Sequence, residues 1–236
     1  VRRRDKSFEK ELEKSWKIGG IIYKILMALH RFGSNNPTSI VLLLHGYGSN
    51  GQDLIGLAPE WQSLLPNTLF LSPDAPFPCE VGFGYQWFSL QNWTPSMLLA
   101  GAERALPYLN AHIDDALSTY NLPATKLALV GFSQGTMMSL YAAPRRVDKI
   151  AGVLGYSGAL VGGEALIDNP HIQKPPVCLI HGDMDMVVPV TAYYHASESL
   201  KYAGFDVSGS VQNGLVHSIN DKGIIEGGEF LHRVFS

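Results

Sequence analysis

The sequence predicts an α/β architecture, a mostly parallel central sheet with helices on both faces, and three observations carry that expectation. Short apolar runs at residues 40–44, 68–71, 127–130, 150–154, 177–180 and 207–211 alternate with segments that are apolar at helical spacing. Most of these runs are apolar without a break, as strands buried on both faces are. A chain of 236 residues with 46% hydrophobic and 17% charged content can bury one sizeable core, so residues 18–236 are expected to form a single domain.

The amino-terminal segment reads separately. Arg2, Arg3 and Arg4 precede the apolar stretch 18–29 in the manner of a signal peptide, but mixed charges intervene, Lys24 interrupts the stretch and no A-x-A site follows. Residues 1–17 are instead expected to be an extension. Phe8, Leu12 and Trp16 recur at helical spacing among Glu9, Lys10, Glu13 and Lys14, predicting a short amphipathic helix that packs on its own domain. No run approaches the apolar length of a membrane span, so stable membrane insertion is not expected.

Further along, residues 53–65 predict a helix. Thr94 caps a longer one that opens with Pro95 and runs to about Tyr120, with Pro107 expected to kink or split it. A third helix should start just after Ser133, a fourth should run from Thr191 to a stop at Gly204, and a fifth should follow Asn220. Residues 73–95 differ in kind: they are rich in proline, glycine and aromatic residues, including Phe77, Phe83, Tyr85, Trp87, Phe88 and Trp93. Such a loop either walls an apolar substrate pocket, with Trp87 and Phe88 as candidate contacts, or is held down by its own aromatics.

Composition excludes some classes of partner. A net charge of −3 and a pI near 6.2 leave no excess of positive charge for nucleic acid. Two cysteines, Cys79 and Cys178, form no disulfide framework and suit a reducing, cytoplasmic setting.

The chemistry centres on Gly131-Phe132-Ser133-Gln134-Gly135, which joins the run 127–130 to the helix formers that follow. In this strand–turn–helix context G-x-S-x-G marks a nucleophile held in a tight turn, with small neighbours that let strand and helix approach. A serine hydroxyl needs a base, and in the α/β-hydrolase fold the acid follows the nucleophile and the histidine comes last. His195 and His232 lie within helical patterns, which leaves His217, in the loop after the last strand. The acid comes from His181-Gly182-Asp183-Met184-Asp185, where Asp183 and Asp185 are both eligible. Oxyanion donors are expected from the backbone of Gln134 and from the glycine-rich loop His45-Gly46-Tyr47-Gly48-Ser49. Metal binding by His45 is the competing reading, with no second ligand at a recognisable spacing.

These motifs together resemble the phospholipase/carboxylesterase family of small α/β hydrolases, which includes bacterial carboxylesterases and acyl-protein thioesterases. The resemblance runs from about residue 40 to the carboxyl terminus. It rests on LLLHGYGSNGQDL at 42–54, SPDAP at 72–76, LVGFSQGTMMSL at 129–140, GYSGAL at 155–160, HGDMDMVVP at 181–189 and the isolated His217. It implies Ser133 as nucleophile, Asp185 as the acid and His217 as the base. The backbone N–H groups of Tyr47 and Gln134 are implied as oxyanion donors, and Val187 as part of the acyl channel. No metal or organic cofactor is needed for this chemistry, no large cap domain is expected, and the resemblance suggests a monomer or a homodimer, as small hydrolases of this family often are. Two departures stand out: residues 1–17 have no counterpart, and Val216 precedes His217 where the family has glycine. The expected activity is hydrolysis of short- to medium-chain carboxylic esters through an acyl-enzyme. Acyl thioesters and lysophospholipids are the alternatives for the same triad, and a catalytically silent binding module is the alternative of another class.

Overall fold

The computed structural model describes residues 15–18, 21–24, 28–167 and 169–236. Its first elements, β1 (Ser15–Ile18) and β2 (Ile21–Lys24), pair antiparallel. The helix expected over residues 1–17 lies mostly outside the described residues. Trp16, assigned to that helix, stands in β1 opposite Tyr23.

The main sheet is built from β3 (Leu29–Gly33), β4 (Ser39–Leu44), β5 (Thr68–Pro73), β8 (Leu127–Phe132), β9 (Gly152–Tyr156), β10 (Val177–Gly182) and β11 (Val207–Gln212). Two short strands, β6 (Phe77–Pro78) and β7 (Tyr85–Gln86), form a hairpin within the aromatic loop. The strand order in the main sheet is β11-β10-β9-β8-β4-β5-β3, and every neighbour is parallel except β3 against β5. The apolar runs of the sequence are therefore the parallel strands. The antiparallel edge strand β3, interrupted by His30 and Arg31, is the one the apolar pattern does not announce.

Side chains alternate across the sheet and divide the core in two. Ile40, Leu42 and Leu44 of β4 face the cluster containing Leu109 and Ile113 of α3 (Pro95–Tyr120), Met137 of α4 (Gln134–Ala142) and Leu200 of α5 (Thr191–Tyr202). Val41 and Leu43 face Leu54 of α1 (Gly51–Leu54), Trp61 of α2 (Ala58–Trp61) and Phe230 of α6 (Asp221–Phe235). Helices thus cover both faces, as predicted, and each fully buried leucine or phenylalanine contributes about 1.5–3 kcal/mol.

Two helices differ from expectation. Pro107 does not split α3, which is assigned as one helix of 26 residues. The carbonyl left without a partner by the missing N–H belongs to Glu103, on the exposed side, where water can satisfy it. Residues 53–65 are not one helix but α1, a 3-10 turn and α2, with Gly56 in the turn and Pro59 in the first turn of α2. The loops that follow β4, β8, β10 and β11 all leave the carboxyl edge of the sheet, and they carry every candidate residue of the motif except the aromatic loop's own.

Candidate active site

Ser133 stands between β8 and α4 with φ 55° and ψ −114°, a left-handed conformation that costs a residue bearing a side chain. Tight surroundings hold it there. A Cβ on Gly135 would lie 1.8 Å from the Leu44 carbonyl oxygen, and one on Gly131 would lie 2.3 Å from the Thr136 nitrogen. The flanking glycines of G-x-S-x-G are therefore demanded by strand–helix contact. The Ser133 N–H donates to the Tyr156 carbonyl at 2.9 Å, tying the turn to β9. Thr136 Oγ1 lies 2.8 Å from the carbonyl oxygens of both Gly131 and Tyr156 and shares its one hydrogen between them, closing the elbow from the helix side.

His217 lies in the loop between β11 and α6, and its ring packs on that of Phe132, the residue preceding Ser133, with centroids 4.9 Å apart. Its Nδ1 is 2.6 Å from Asp185 Oδ2. With Nδ1–H donating to the carboxylate, Nε2 is the free acceptor. Ser133 Oγ makes no hydrogen bond to His217 in this structure; such contacts commonly tighten only once substrate is bound.

The two aspartates are separated by their surroundings. Asp185 is buried, and its Oδ1 accepts the N–H groups of Val187 at 2.9 Å and Val188 at 2.8 Å. Burial alone would raise its pKa. The hydrogen bonds from His217, Val188 and Val187 outweigh that and hold the carboxyl below its ordinary range. Asp183 is exposed and accepts the Gly214 N–H, bracing the His217 loop from outside. His181, near the end of β10, is buried, and its Nε2 lies 2.7 Å from the Val188 carbonyl and 3.4 Å from Asp185 Oδ2. Its Nε2–H donates to that carbonyl, so His181 packs beneath Asp185 as a neutral ring, and burial lowers its pKa. Its place in HGDMD was visible in the sequence, but this contact was not.

Opposite His217, residues His45, Gly46 and Tyr47 follow β4. A Cβ on Gly46 would lie 3.3 Å from the Ser133 Cβ, so this peptide passes directly beside Ser133. Among the described residues, neither Tyr47 N–H nor Gln134 N–H donates a hydrogen bond to another group. His45 is buried, with Nδ1 2.7 Å from the Gly46 carbonyl and Nε2 accepting the Ala75 N–H at 2.9 Å. Both ring nitrogens are thus engaged and offer no lone pair to a metal. Burial lowers its pKa and keeps the ring neutral.

The aromatic loop is fastened to this side of the site by polar bonds. Trp87 N–H donates to Gln134 Oε1, Gln134 Nε2 donates to the Phe88 carbonyl, both at 2.8 Å, and Trp87 Nε1 donates to the His45 carbonyl at 3.0 Å. Tyr85 and Ser49 form a bridge, and Tyr47 Oη donates to Glu80 Oε1 at 2.9 Å. Glu80 also receives Ser89 Oγ and the Leu90 N–H. Trp87 is 0% and Phe88 3% exposed, so these candidate substrate contacts face inward and present almost no surface to a ligand. Accessible apolar side chains near the carboxyl edge include Val81 and Phe83 of this loop, Met184, Met186 and Val187 beside Asp185, and Val216 beside His217. A cleft of about 160 Å³ lined by Ser39, Thr68, Lys126 and His232 opens at the amino ends of the strands and includes none of these residues.

A mostly parallel sheet of this order, with a strained serine between strand and helix, defines the α/β-hydrolase fold. Residues 32–234 match the family model described as phospholipase/carboxylesterase, and the chain belongs to that family. It is 28% identical over 217 residues to acyl-protein thioesterase 1 of Emericella nidulans, covering 84% of this chain and 90% of that protein. It is 27% identical over 183 residues to esterase YpfH of Escherichia coli, covering 78% and 77%. Among solved structures, esterase PE8 superposes with a TM-score of 0.82 at 38% identity, covering 88% of this chain and 99% of that one.

Proposed function

We propose that the protein is a serine hydrolase acting on short- to medium-chain carboxylic esters through an acyl-enzyme, with residues 18–236 as one catalytic domain. The observation that carries this reading is the buried Asp185 bound to His217 beside the strained Ser133. Ser133 Oγ attacks the ester carbonyl carbon as His217 Nε2 takes its proton, and Asp185 stabilises the resulting imidazolium. The N–H groups of Tyr47 and Gln134 receive the oxyanion. Collapse expels the alcohol, which leaves with the proton from His217. Water then attacks the acyl-enzyme, giving its proton to His217, and the acid departs as that proton returns to Ser133.

The exposed Val187 and Val216 beside the acid and base favour an apolar acyl group. The esterase names of two relatives support the ester, whereas the Emericella thioesterase supports an acyl thioester as the second reading. Two buried, unpaired cysteines suit a reducing, cytoplasmic setting. The test is hydrolysis of p-nitrophenyl esters and acyl thioesters of graded chain length by the wild type, Ser133→Ala and His217→Ala. Each substitution is expected to lower kcat by about 10⁴-fold or more. Turnover intact in Ser133→Ala would overturn the reading, and a sharp optimum on long-chain thioesters would move it to the second substrate class.

A further inference from the structure

The buried imidazole of His45 has no part in proton transfer, yet both its nitrogens are committed next to the nucleophile. Resting on the serine-hydrolase reading above, we propose that His45, Trp87 and the Gln134 side chain are positioning residues that jointly aim the two oxyanion N–H groups.

The argument starts with the Gly46–Tyr47 peptide. Its carbonyl oxygen accepts from His45 Nδ1 at 2.7 Å and from the Ser49 N–H at 3.2 Å. No cis peptide occurs among the described residues, and in a planar trans peptide the N–H points opposite to the C=O. Two donors that grip the carbonyl on one side therefore turn the Tyr47 N–H to the other, where it has no protein acceptor. Ala75 N–H donates to His45 Nε2, so the proton of the neutral ring sits on Nδ1 and the Gly46 carbonyl receives it. An asparagine or alanine at 45 could not span both contacts.

The second donor is linked to the first. Gln134 contributes its backbone N–H to the site and its side-chain amide to the aromatic loop, with Oε1 and Nε2 engaging Trp87 N–H and the Phe88 carbonyl. Trp87 in turn reaches the His45 carbonyl with its indole N–H. A continuous chain of bonds thus runs from the peptide after β4, through Trp87, to the first residue of α4. All three side chains are buried, Gln134 and Trp87 completely, so water cannot replace a lost bond cheaply. The aromatic loop's clearest contribution is to fix the distance between the two donors.

The test compares His45→Asn, Gln134→Ala and Trp87→Phe, all of which keep the backbone donors. Each is assayed for kcat and KM on p-nitrophenyl butyrate, for affinity toward a trifluoromethyl ketone that forms a hemiketal oxyanion with a serine, and for thermal unfolding. Loss of a whole oxyanion donor costs about 10²–10³-fold, so misaiming one is expected to lower kcat by about tenfold or more in His45→Asn and Gln134→Ala, and less in Trp87→Phe. KM should stay within about twofold, and the ketone should weaken by the same factor as kcat/KM. Trp87→Phe removes the indole N–H together with part of the buried ring, so its unfolding midpoint is read beside its kcat, and it decides the matter with Gln134→Ala if His45→Asn does not fold. Folded variants with unchanged kcat, or with a raised KM and intact kcat, would overturn the proposal. Turnover surviving in Ser133→Ala would instead overturn the serine-hydrolase reading on which it rests.

Discussion

The two sides of the candidate site are built differently. On the oxyanion side, after β4 and β8, His45, Trp87 and Gln134 are almost completely buried and hydrogen-bonded to one another and to the backbone around them. On the acid–base side, after β10 and β11, Asp185 is buried but its loop neighbour Met186 is 89% exposed, and Val216 beside His217 is 57% exposed. The His217 loop is held by Met184 N–H to the Leu215 carbonyl, Gly214 N–H to Asp183, Leu215 N–H to the Gln212 carbonyl and the His217–Asp185 bond, while the Val216 side chain within it stays exposed. The difference follows the chemistry each side is proposed to do. Oxyanion donors act best when they need no reorganisation as charge develops. A base must take up a proton, release it and admit water, which an open loop permits. Burial and side-chain hydrogen bonding are therefore concentrated on the side proposed to act through geometry alone.

That contrast breaks most visibly at the two aspartates. Asp185→Asn keeps the shape but removes the charge that fixes the His217 tautomer, and kcat should fall by about 10⁴-fold. Asp183→Asn removes only the charge of an exposed brace whose amide oxygen can still accept the Gly214 N–H, and it should leave kcat within about threefold, with a stability loss of about 1 kcal/mol or less. Equal losses in the two variants would remove the distinction between the orienting acid and the loop support. Ester kinetics with a denaturation curve for each variant supply the comparison.

A second break lies where the two sides meet, at the elbow. In Gly135→Ala the new methyl must displace the Leu44 carbonyl, 1.8 Å from the ideal Cβ, in the middle of the sheet. We expect destabilisation of about 3 kcal/mol or more, read as a lowered unfolding midpoint. Gly214, in the His217 loop, has open space around its Cβ position and pays only for its φ of 72°. Gly214→Ala should cost about 1 kcal/mol. Similar costs at the two glycines would mean that the elbow is looser than its packing implies.

What could be read from the sequence divides along the same line. The parallel strands announced themselves because burial on both faces writes an unbroken apolar run, as at 127–130. The elbow was legible because its glycines answer a local steric demand. His217 was reached by chain order and loop position, and the structure brings it to Asp185. Residue chemistry alone left Asp183 and Asp185 equivalent, since what separates them is which one folds under the Val187 and Val188 N–H groups. The aromatic content of 73–95 was plain, but not its direction: Trp87 and Phe88 turn inward because Gln134, far along the chain, takes up the polar groups of their backbone. His45 is the clearest omission, because a histidine before a glycine reads as a metal or catalytic candidate until the carbonyl it grips is known. The edge strand β3 was hidden by His30 and Arg31, and Glu80 by its exposed place in a loop.

The smallest expected effect concerns pH. Hydrogen bonds hold the Asp185 carboxyl below its ordinary range in the folded protein, while in the unfolded chain it titrates near the usual value of about 3.9. Between the folded and unfolded pKa values the unfolded state binds more protons, so stability contributed by this carboxylate is full above the unfolded pKa and is lost as pH falls through the folded one. The Asp185→Asn variant has no carboxyl to titrate at this position. The difference in unfolding free energy, wild type minus variant, should therefore be flat just above the carboxylate range, where imidazoles are already protonated in the unfolded chain. It should decrease on further acidification. Denaturant titrations across that window measure the slope. A difference that stays flat, or rises as pH falls, would mean that the Val187, Val188 and His217 bonds do not outweigh the burial of the charge, and the acid side would then owe its order to packing alone.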